Sequence, residues 1–143
     1  MSTALSPGAV SAVIGHQVRR AAQTPKTFVN WAALLRDMTF ARIGRGPEDL
    51  TFVTRGGLRI SCPNRPGARV PIYEVFAEDT YQLESFLGPL LRQPLRVVDI
   101  GAHVGAFACG LAALSPQATI ECFEPSPNTA AYLRRNATQN GLA

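Results

Sequence analysis

Apolar positions along the chain change their period several times, and each change marks an element. Val10, Val13, Ile14 and Val18 are three and four apart in an Ala- and Ser-rich stretch. That is the stripe of a short helix, which Pro25 ends. Residues 1–27 therefore read as a flexible or short helical arm. Phe28, Trp31, Leu34, Leu35 and Met38 repeat the helical spacing more strongly and predict a packing helix from about Asn30 to Arg42. Gly44, Gly46 and Pro47 break it. The period then falls to two: Leu50, Phe52, Ile60 and Cys62 alternate with polar neighbours on either side of Arg55-Gly56-Gly57. This predicts a hairpin with Leu50 opposite Cys62, Phe52 opposite Ile60 and Gly57 in the left-handed position of the loop. Residues 62–71 are turn-rich, and Val70–Phe76 reads as an edge strand or ordered loop. Asp79 opens another helix, with Gln82 reaching back to complete a capping box. Leu83, Phe86, Leu87, Leu90 and Leu91 line one face of it, Gly88-Pro89 kinks it and Pro94 ends it. Residues 28–94 form a helix–hairpin–helix extension in this reading.

From residue 95 the order becomes strand, glycine loop, helix, strand, acid, helix. Arg96–Ile100 is a buried strand and Gly101-Ala102-His103-Val104-Gly105 a tight loop. Ala106–Leu114 is a helix with Phe107, Leu111 and Leu114 inward, and Ala118–Phe123 is a second strand followed by Glu124-Pro125. Ser126 caps the next helix, Pro127 sits in its first turn and Gly141 closes it. This is the crossover unit of a doubly wound α/β fold. Glu121 points to the polar side.

A chain of 143 residues has room for one ordinary domain. Hydrophobic residues at 46% against 17% charged exclude wholesale disorder. No apolar run reaches the roughly 20 residues of a membrane span, and no secretory signal opens the chain. The net charge of +4 comes from scattered arginines, adjacent only at Arg19-Arg20 and Arg134-Arg135, with Lys26 the one lysine. Nucleic-acid binders gather their charge in a stripe, so no nucleic-acid partner is expected. Three cysteines without a CxxC spacing read as reduced thiols of a cytoplasmic protein. His16 and His103 are too far apart to begin a metal site.

The loop carries the chemistry. Ligands of such folds bind at the carboxyl ends of the strands. Gly101 permits the sharp turn, Gly105 a close approach, and Glu124 lies about 20 residues on, where an acid accepts ribose hydroxyls. A dinucleotide loop needs a second glycine beside the pyrophosphate. Here His103 is too bulky there, and Asp99 at the strand end would repel phosphate. The same carboxylate attracts a cation, and S-adenosylmethionine carries an ammonium and a sulfonium and no phosphate. The residues thus favour the methyl donor over a nicotinamide cofactor.

The stretch Val97-Val98-Asp99-Ile100-Gly101-Ala102-His103-Val104-Gly105-Ala106-Phe107 resembles motif I of the FkbM family of methyltransferases. Phe123-Glu124-Pro125-Ser126-Pro127-Asn128, with Leu133 and Asn136, resembles the family's second motif and its helix, and Glu74-Val75-Phe76 with Tyr81 resembles its upstream segment. The likeness covers roughly residues 50–143. It implies a Rossmann-like class I methyltransferase fold of which residues 95–143 hold only the first strand–helix–strand–helix unit. It also implies S-adenosylmethionine as donor and a small-molecule hydroxyl, on a sugar or natural-product scaffold, as acceptor. By position, Asp99, Gly101, Ala102, His103 and Gly105 would shape the donor loop and Glu124 would hold the ribose. Tyr81 and Glu74 would lie near donor or acceptor, with plain packing the alternative for Tyr81. His103 departs from the family's usual Asn. For each acid a structural role stays open: Asp99 bonding loop N–H groups, and Glu124 favoured by the dipole of the helix it precedes. The expectation is a front portion without acceptor site or general base, inactive alone and completed by a C-terminal portion or by a homo-oligomer. A non-catalytic module that keeps the loop only as structure is the rival.

Overall fold

The computed structural model describes residues 7–142, with side-chain surroundings from residue 15 onward. Its elements are α1 (Pro7–Thr27), α2 (Trp31–Ala41), β1 (Asp49–Val53), β2 (Arg59–Pro63), α3 (Pro66–Phe76), α4 (Leu83–Leu87), a 3-10 turn (Gly88–Arg92), β3 (Arg96–Ile100), α5 (Ala106–Leu114), β4 (Thr119–Phe123) and α6 (Pro127–Gln139). The fold is mixed α/β, with an antiparallel pair β1–β2 and a parallel pair β3–β4. No helix among the described residues is long and apolar enough to cross a membrane.

The hairpin forms as its alternation demands. Leu50 pairs with Cys62 and Phe52 with Ile60. Thr54 N–H bonds the Leu58 carbonyl across the three-residue loop at 2.9 Å, and Gly57 has φ 89°. Phe52, Phe28 and Tyr73 meet edge-to-face, with ring centroids 4.9–5.8 Å apart, at the centre of the core. Such edge-on contacts add to the area they bury, because the positive ring edge meets the negative face. The same core includes Leu34 of α2, Ile72 of α3, Val104 of the glycine loop and Ala106 and Cys109 of α5.

Three elements differ from the sequence expectation. The first helix is 21 residues long and runs past Pro25 to Thr27. Proline in a last turn forfeits one hydrogen bond only. The carbonyls that follow are not stranded: Arg55 of the hairpin loop donates to Lys26 O at 2.6 Å and to Pro25 O at 2.8 Å. The helix is also tied down along its length. Arg20 pairs with Glu78 at 2.8 Å, Gln23 donates to Ala77 O, and the Thr24 hydroxyl bonds the Tyr73 phenol at 2.7 Å. Of the expected stripe, the side chains of Val10, Val13 and Ile14 lie outside the described residues, and Val18 is exposed.

The second difference is α3, a helix where turns and an edge strand were expected. Pro66 occupies its first turn, where the fixed φ helps and the missing N–H costs nothing. Ala68, Ile72, Val75 and Phe76 fall on one face at i, i+4, i+7 and i+8 and reach the core. Gly110 of α5 lets this helix approach closely: a Cβ there would stand 2.8 Å from Val75 Cγ1. The third is the start of α4. Gln82 is itself left-handed, with φ 47°, and no side chain caps the helix; Asp79 is left-handed as well. The proposed capping box therefore does not form, and of its apolar face only Leu83 is buried while Phe86 and Leu90 are exposed. The break at Gly88 does occur, as the change from α to 3-10 helix.

The crossover unit follows its sequence pattern in element order, but β3, expected to be buried, alternates between exposed and half-buried positions because only β4 pairs with it. β3 and β4 run parallel with Asp99 beside Cys122 and Ile100 beside Phe123, and α5 connects them. Leu111 is buried as expected, but Leu114 at the end of α5 is exposed. One face of the pair, carrying Val97, Asp99, Ile120 and Cys122, is half-buried; the other leaves Val98, Ile100 and Phe123 exposed. Glu121 stands on that outer face, paired with Arg96 at 3.5 Å.

Helix α6 closes the hairpin's free edge with side-chain amides. Asn136 Nδ2 donates to the Ser61 carbonyl at 2.9 Å while its Oδ1 accepts the Ser61 N–H at 2.8 Å. One helical turn later, Asn140 makes the same two bonds to Arg59, at 2.8 and 2.9 Å. Four residues of helix rise about 6 Å, and two residues of strand about 6.6 Å. Two asparagines spaced i, i+4 thus match two ladder positions of a strand. Asn136 also donates to Val104 O at 2.7 Å and so ties the glycine loop to the same edge. Asn136→Ala is expected to lower stability by roughly 2–4 kcal/mol, because it strands buried backbone groups on two elements. Urea denaturation of the two chains measures this, and Asn140→Ala, at the exposed end, should cost less.

Candidate functional site

The glycine loop connects the C-terminal end of β3 to α5, and its backbone is held almost completely from within. Gly101 and Ala102 N–H groups both donate to Phe123 O, at 2.8 and 3.0 Å. His103 N–H donates to Glu124 Oε2 at 2.9 Å, and Gly105 N–H closes a turn on Ala102 O at 2.8 Å. Gly101, His103 and Gly105 all have positive φ, at 80°, 51° and 78°. Glycine adopts this freely; for His103 it is a strained conformation of about 1 kcal/mol that its neighbours must enforce. Gly105 is also where α6 comes close, since a Cβ would meet Leu133 Cγ at 3.3 Å. The close approach expected at this glycine is therefore to helix α6.

Glu124 is the clasp of the loop. Its second oxygen accepts the Ser126 N–H at 2.9 Å, just before the cap in which Ser126 Oγ accepts from Thr129 N–H. One carboxylate thus fixes the loop and the start of α6 together. A carboxylate has about four acceptor positions, so each oxygen keeps one lone pair for a further donor such as a ribose hydroxyl.

Asp99 is placed differently. It faces inward from β3, and its Oδ2 is buried with no hydrogen-bond partner. Burial raises its pKa above the ordinary aspartate value. Tyr81 lies against the same region, its ring edge-on to Phe107 at 5.2 Å. Burial first, and then the negative fields of Glu74 and Asp99, push the Tyr81 phenol up. Cys122, beside Asp99 in the strand register, is raised by burial and by the Asp99 carboxylate. Asp99, Tyr81 and Glu74 therefore share one acidic region on the inward face, with Phe107 as its apolar wall. The His103 side chain instead shares a concavity with the first turns of α3 and α6. The buried thiols are poor nucleophiles, since burial pushes Cys62 up to about 12 and Cys109 to about 11.

What the region can do follows from its charge. A buried carboxyl oxygen without a donor is a standing electrostatic cost that a cationic or hydrogen-bonding ligand would relieve. Of the loop N–H groups, those of Gly101, Ala102, His103 and Gly105 are already engaged with Phe123, Glu124 and Ala102. No group of three or more His, Cys, Asp or Glu side chains among the described residues gathers as a metal site. Compared with protein-family models, curated proteins and solved structures, the chain matches none.

Two features of the site were not visible in the residue pattern. The partner of Glu124 is a backbone N–H, which no side-chain spacing announces. The wall that α3 forms near His103 was also hidden, because two prolines disguised that helix.

The Asp99 carboxyl also sets a pH dependence. Its folded pKa lies above its unfolded one, so protonation favours the native state. The destabilisation by Asp99 is full above the folded pKa and vanishes as pH falls through the ordinary aspartate range. Asp99→Asn is therefore expected to raise Tm at pH 7 without ligand, with the gain fading to nothing near pH 3. Thermal melts of both chains from pH 3 to 8 test the sign.

Proposed function

We propose that the chain carries the donor-binding unit of an S-adenosylmethionine-dependent methyltransferase with a Rossmann-like fold, acting on a hydroxyl oxygen of a small molecule. The observation that carries this reading is the Asp99 oxygen, buried without a partner at the C-terminal end of β3. It asks for a cationic or donating ligand, and the engaged N–H groups of the loop speak against a pyrophosphate. The resemblance of residues 97–107 and 123–128 to the FkbM motifs supports the same donor.

The residues present fit that donor by charge. Its sulfonium supplies the electrophilic methyl carbon. Asp99 would accept hydrogen bonds from the ammonium group, Glu124 would take ribose hydroxyls on its remaining lone pairs, and Phe107 with Tyr81 would shield the site from water. Glu74 adds a second negative charge to the region that faces the cation. Rate would come from alignment, because displacement at carbon needs donor and acceptor in line. A hydroxyl acceptor must also lose its proton, and no side chain here is assigned to that step.

Calorimetry with S-adenosylmethionine tests the proposal. Wild-type chain should bind, Asp99→Asn should bind at least about tenfold more weakly because a charge-assisted bond is lost, and NADH should not compete. Absence of binding by a folded wild-type chain, or equal binding by Asp99→Asn, would refute it.

A further inference from the structure

The cations of this chain are scattered in sequence, but the fold gathers many of them on one side. Residues 1–36 contain no aspartate or glutamate, and between Arg19 and Arg65 the acids are Asp37, Glu48 and Asp49. Asp37 is taken by Arg36 at 2.7 Å and Asp49 by Arg135 at 3.0 Å. Glu78, at the flank of α1, is taken by Arg20 at 2.8 Å. Lys26, Arg42, Arg45 and Arg55 are exposed and enter none of the ion pairs among the described residues. The helix pair α1–α2 brings them together. Arg42, at the end of α2, donates to Gln17 of α1 at 3.1 Å, so α2 folds back along α1. Arg55 of the hairpin loop is bonded to the carbonyls of Lys26 and Pro25 at the other end of the pair.

The outward face of the pair is apolar between these cations. Arg20, Gln23 and Thr24 define the inner face of α1 through their bonds to Glu78, Ala77 and Tyr73. Val18, Ala22 and Lys26, spaced by four, lie on the opposite face and are exposed. Leu34 and Met38 turn α2 to the core. Ala32, Arg36 and, just past the helix, Ile43 are exposed on its other side. Val18 is 64% exposed and Ile43 63%, and Val29, Trp31 and Phe40 are exposed around them. An ordinary solvated face carries charges of both signs in place of such side chains.

We propose that the outer face of α1–α2 docks peripherally onto an anionic lipid surface. Unpaired cations interleaved with aliphatic and aromatic side chains match a bilayer interface, where charged headgroups overlie acyl chains. Tryptophan favours that depth, with its ring in the apolar layer and its N–H toward the headgroups. A nucleic acid offers the charge but no apolar layer to receive Val18 and Ile43, and single strands need a row of aromatic rings to stack on. The remainder of the chain supports an orientation as well as an attraction. From residue 66 onward acids outnumber bases, so the field of an anionic surface turns the α1–α2 side toward it. The contact rests on the surface, since no helix among the described residues is long and apolar enough to cross a membrane.

Trp31 is the one tryptophan of the chain and reports on this face. The chain is titrated with vesicles of phosphatidylcholine alone and of phosphatidylcholine mixed with phosphatidylserine, and followed by Trp31 emission and by co-sedimentation. A saturable blue shift and co-sedimentation are expected with the anionic vesicles only, and raised salt should reverse both. Lys26→Gln with Arg45→Gln, neither of which holds a side-chain bond, should weaken binding at least about tenfold. Ile43→Ser should weaken it at unchanged net charge. Arg92→Gln with Arg134→Gln removes the same charge from exposed positions outside α1–α2 and should leave binding as it is. Circular dichroism establishes that each variant is folded. The proposal is overturned if the folded chain ignores anionic vesicles at low salt, binds neutral ones equally, or co-sediments without a Trp31 shift. It is also overturned if the two double variants lose binding equally, or if a short DNA or RNA duplex strips the chain from the vesicles, which would give the face to nucleic acid. The readout is lipid binding alone, so it stands or falls apart from methyl transfer.

Discussion

Asparagine amides on α6 hold the molecule together. A two-stranded hairpin has a free edge of unpaired N–H and C=O groups and little stability of its own. Here the edge of β2 meets Asn136 and Asn140, whose amides present one donor and one acceptor each, in the spacing of a neighbouring strand. Because Asn136 also takes the Val104 carbonyl, the hairpin, the helix and the glycine loop are positioned by one buried side chain. The loop is a precise object only because the hairpin is beside it.

The two carboxylates of the site divide their work in consequence. Glu124 spends both oxygens on backbone N–H groups and serves the architecture first. Asp99 lies one strand away, keeps an oxygen without a partner and is raised by burial. A protein gains nothing in stability from such a group, since a neutral or bonded side chain would be cheaper. The likeness of the two acids in sequence, one two residues before a glycine and the other just before a proline at a strand end, conceals this difference in environment.

Much of this was legible in the residues where local and tertiary preferences agree. The hairpin register, β3, α5, β4 and the Ser126 cap follow from period, glycine and cap alone. The misreadings fall where tertiary contacts override a local signal. Pro25 did not end α1, because Arg55 supplies donors to the last carbonyls. Pro66 and Pro71 hid α3, though its apolar face was present at helical spacing. Asp79 and Gln82 looked like a capping box, yet both adopt left-handed backbone that removes the geometry a box requires. In the site, Gly101, Gly105, Glu124 and Asp99 could be named from the pattern. That Glu124 clasps the loop, and that His103 stands near the first turn of α3, needed the placement of α3 and α6.

That placement has one more consequence for the loop. Its two sides differ because they are walled by different segments of chain. Toward β3 stand Asp99, Tyr81 and Phe107; toward α3 stand Pro63, Gly67 and Ala68. The left-handed His103 is held between them by the bond from its N–H to Glu124 and by the turn that Gly105 N–H closes on Ala102 O. Because the same carboxylate accepts the Ser126 N–H, the loop cannot shift without disturbing the start of α6. The geometry of the loop is therefore set by the end of β4 and the start of α6 as much as by its own glycines.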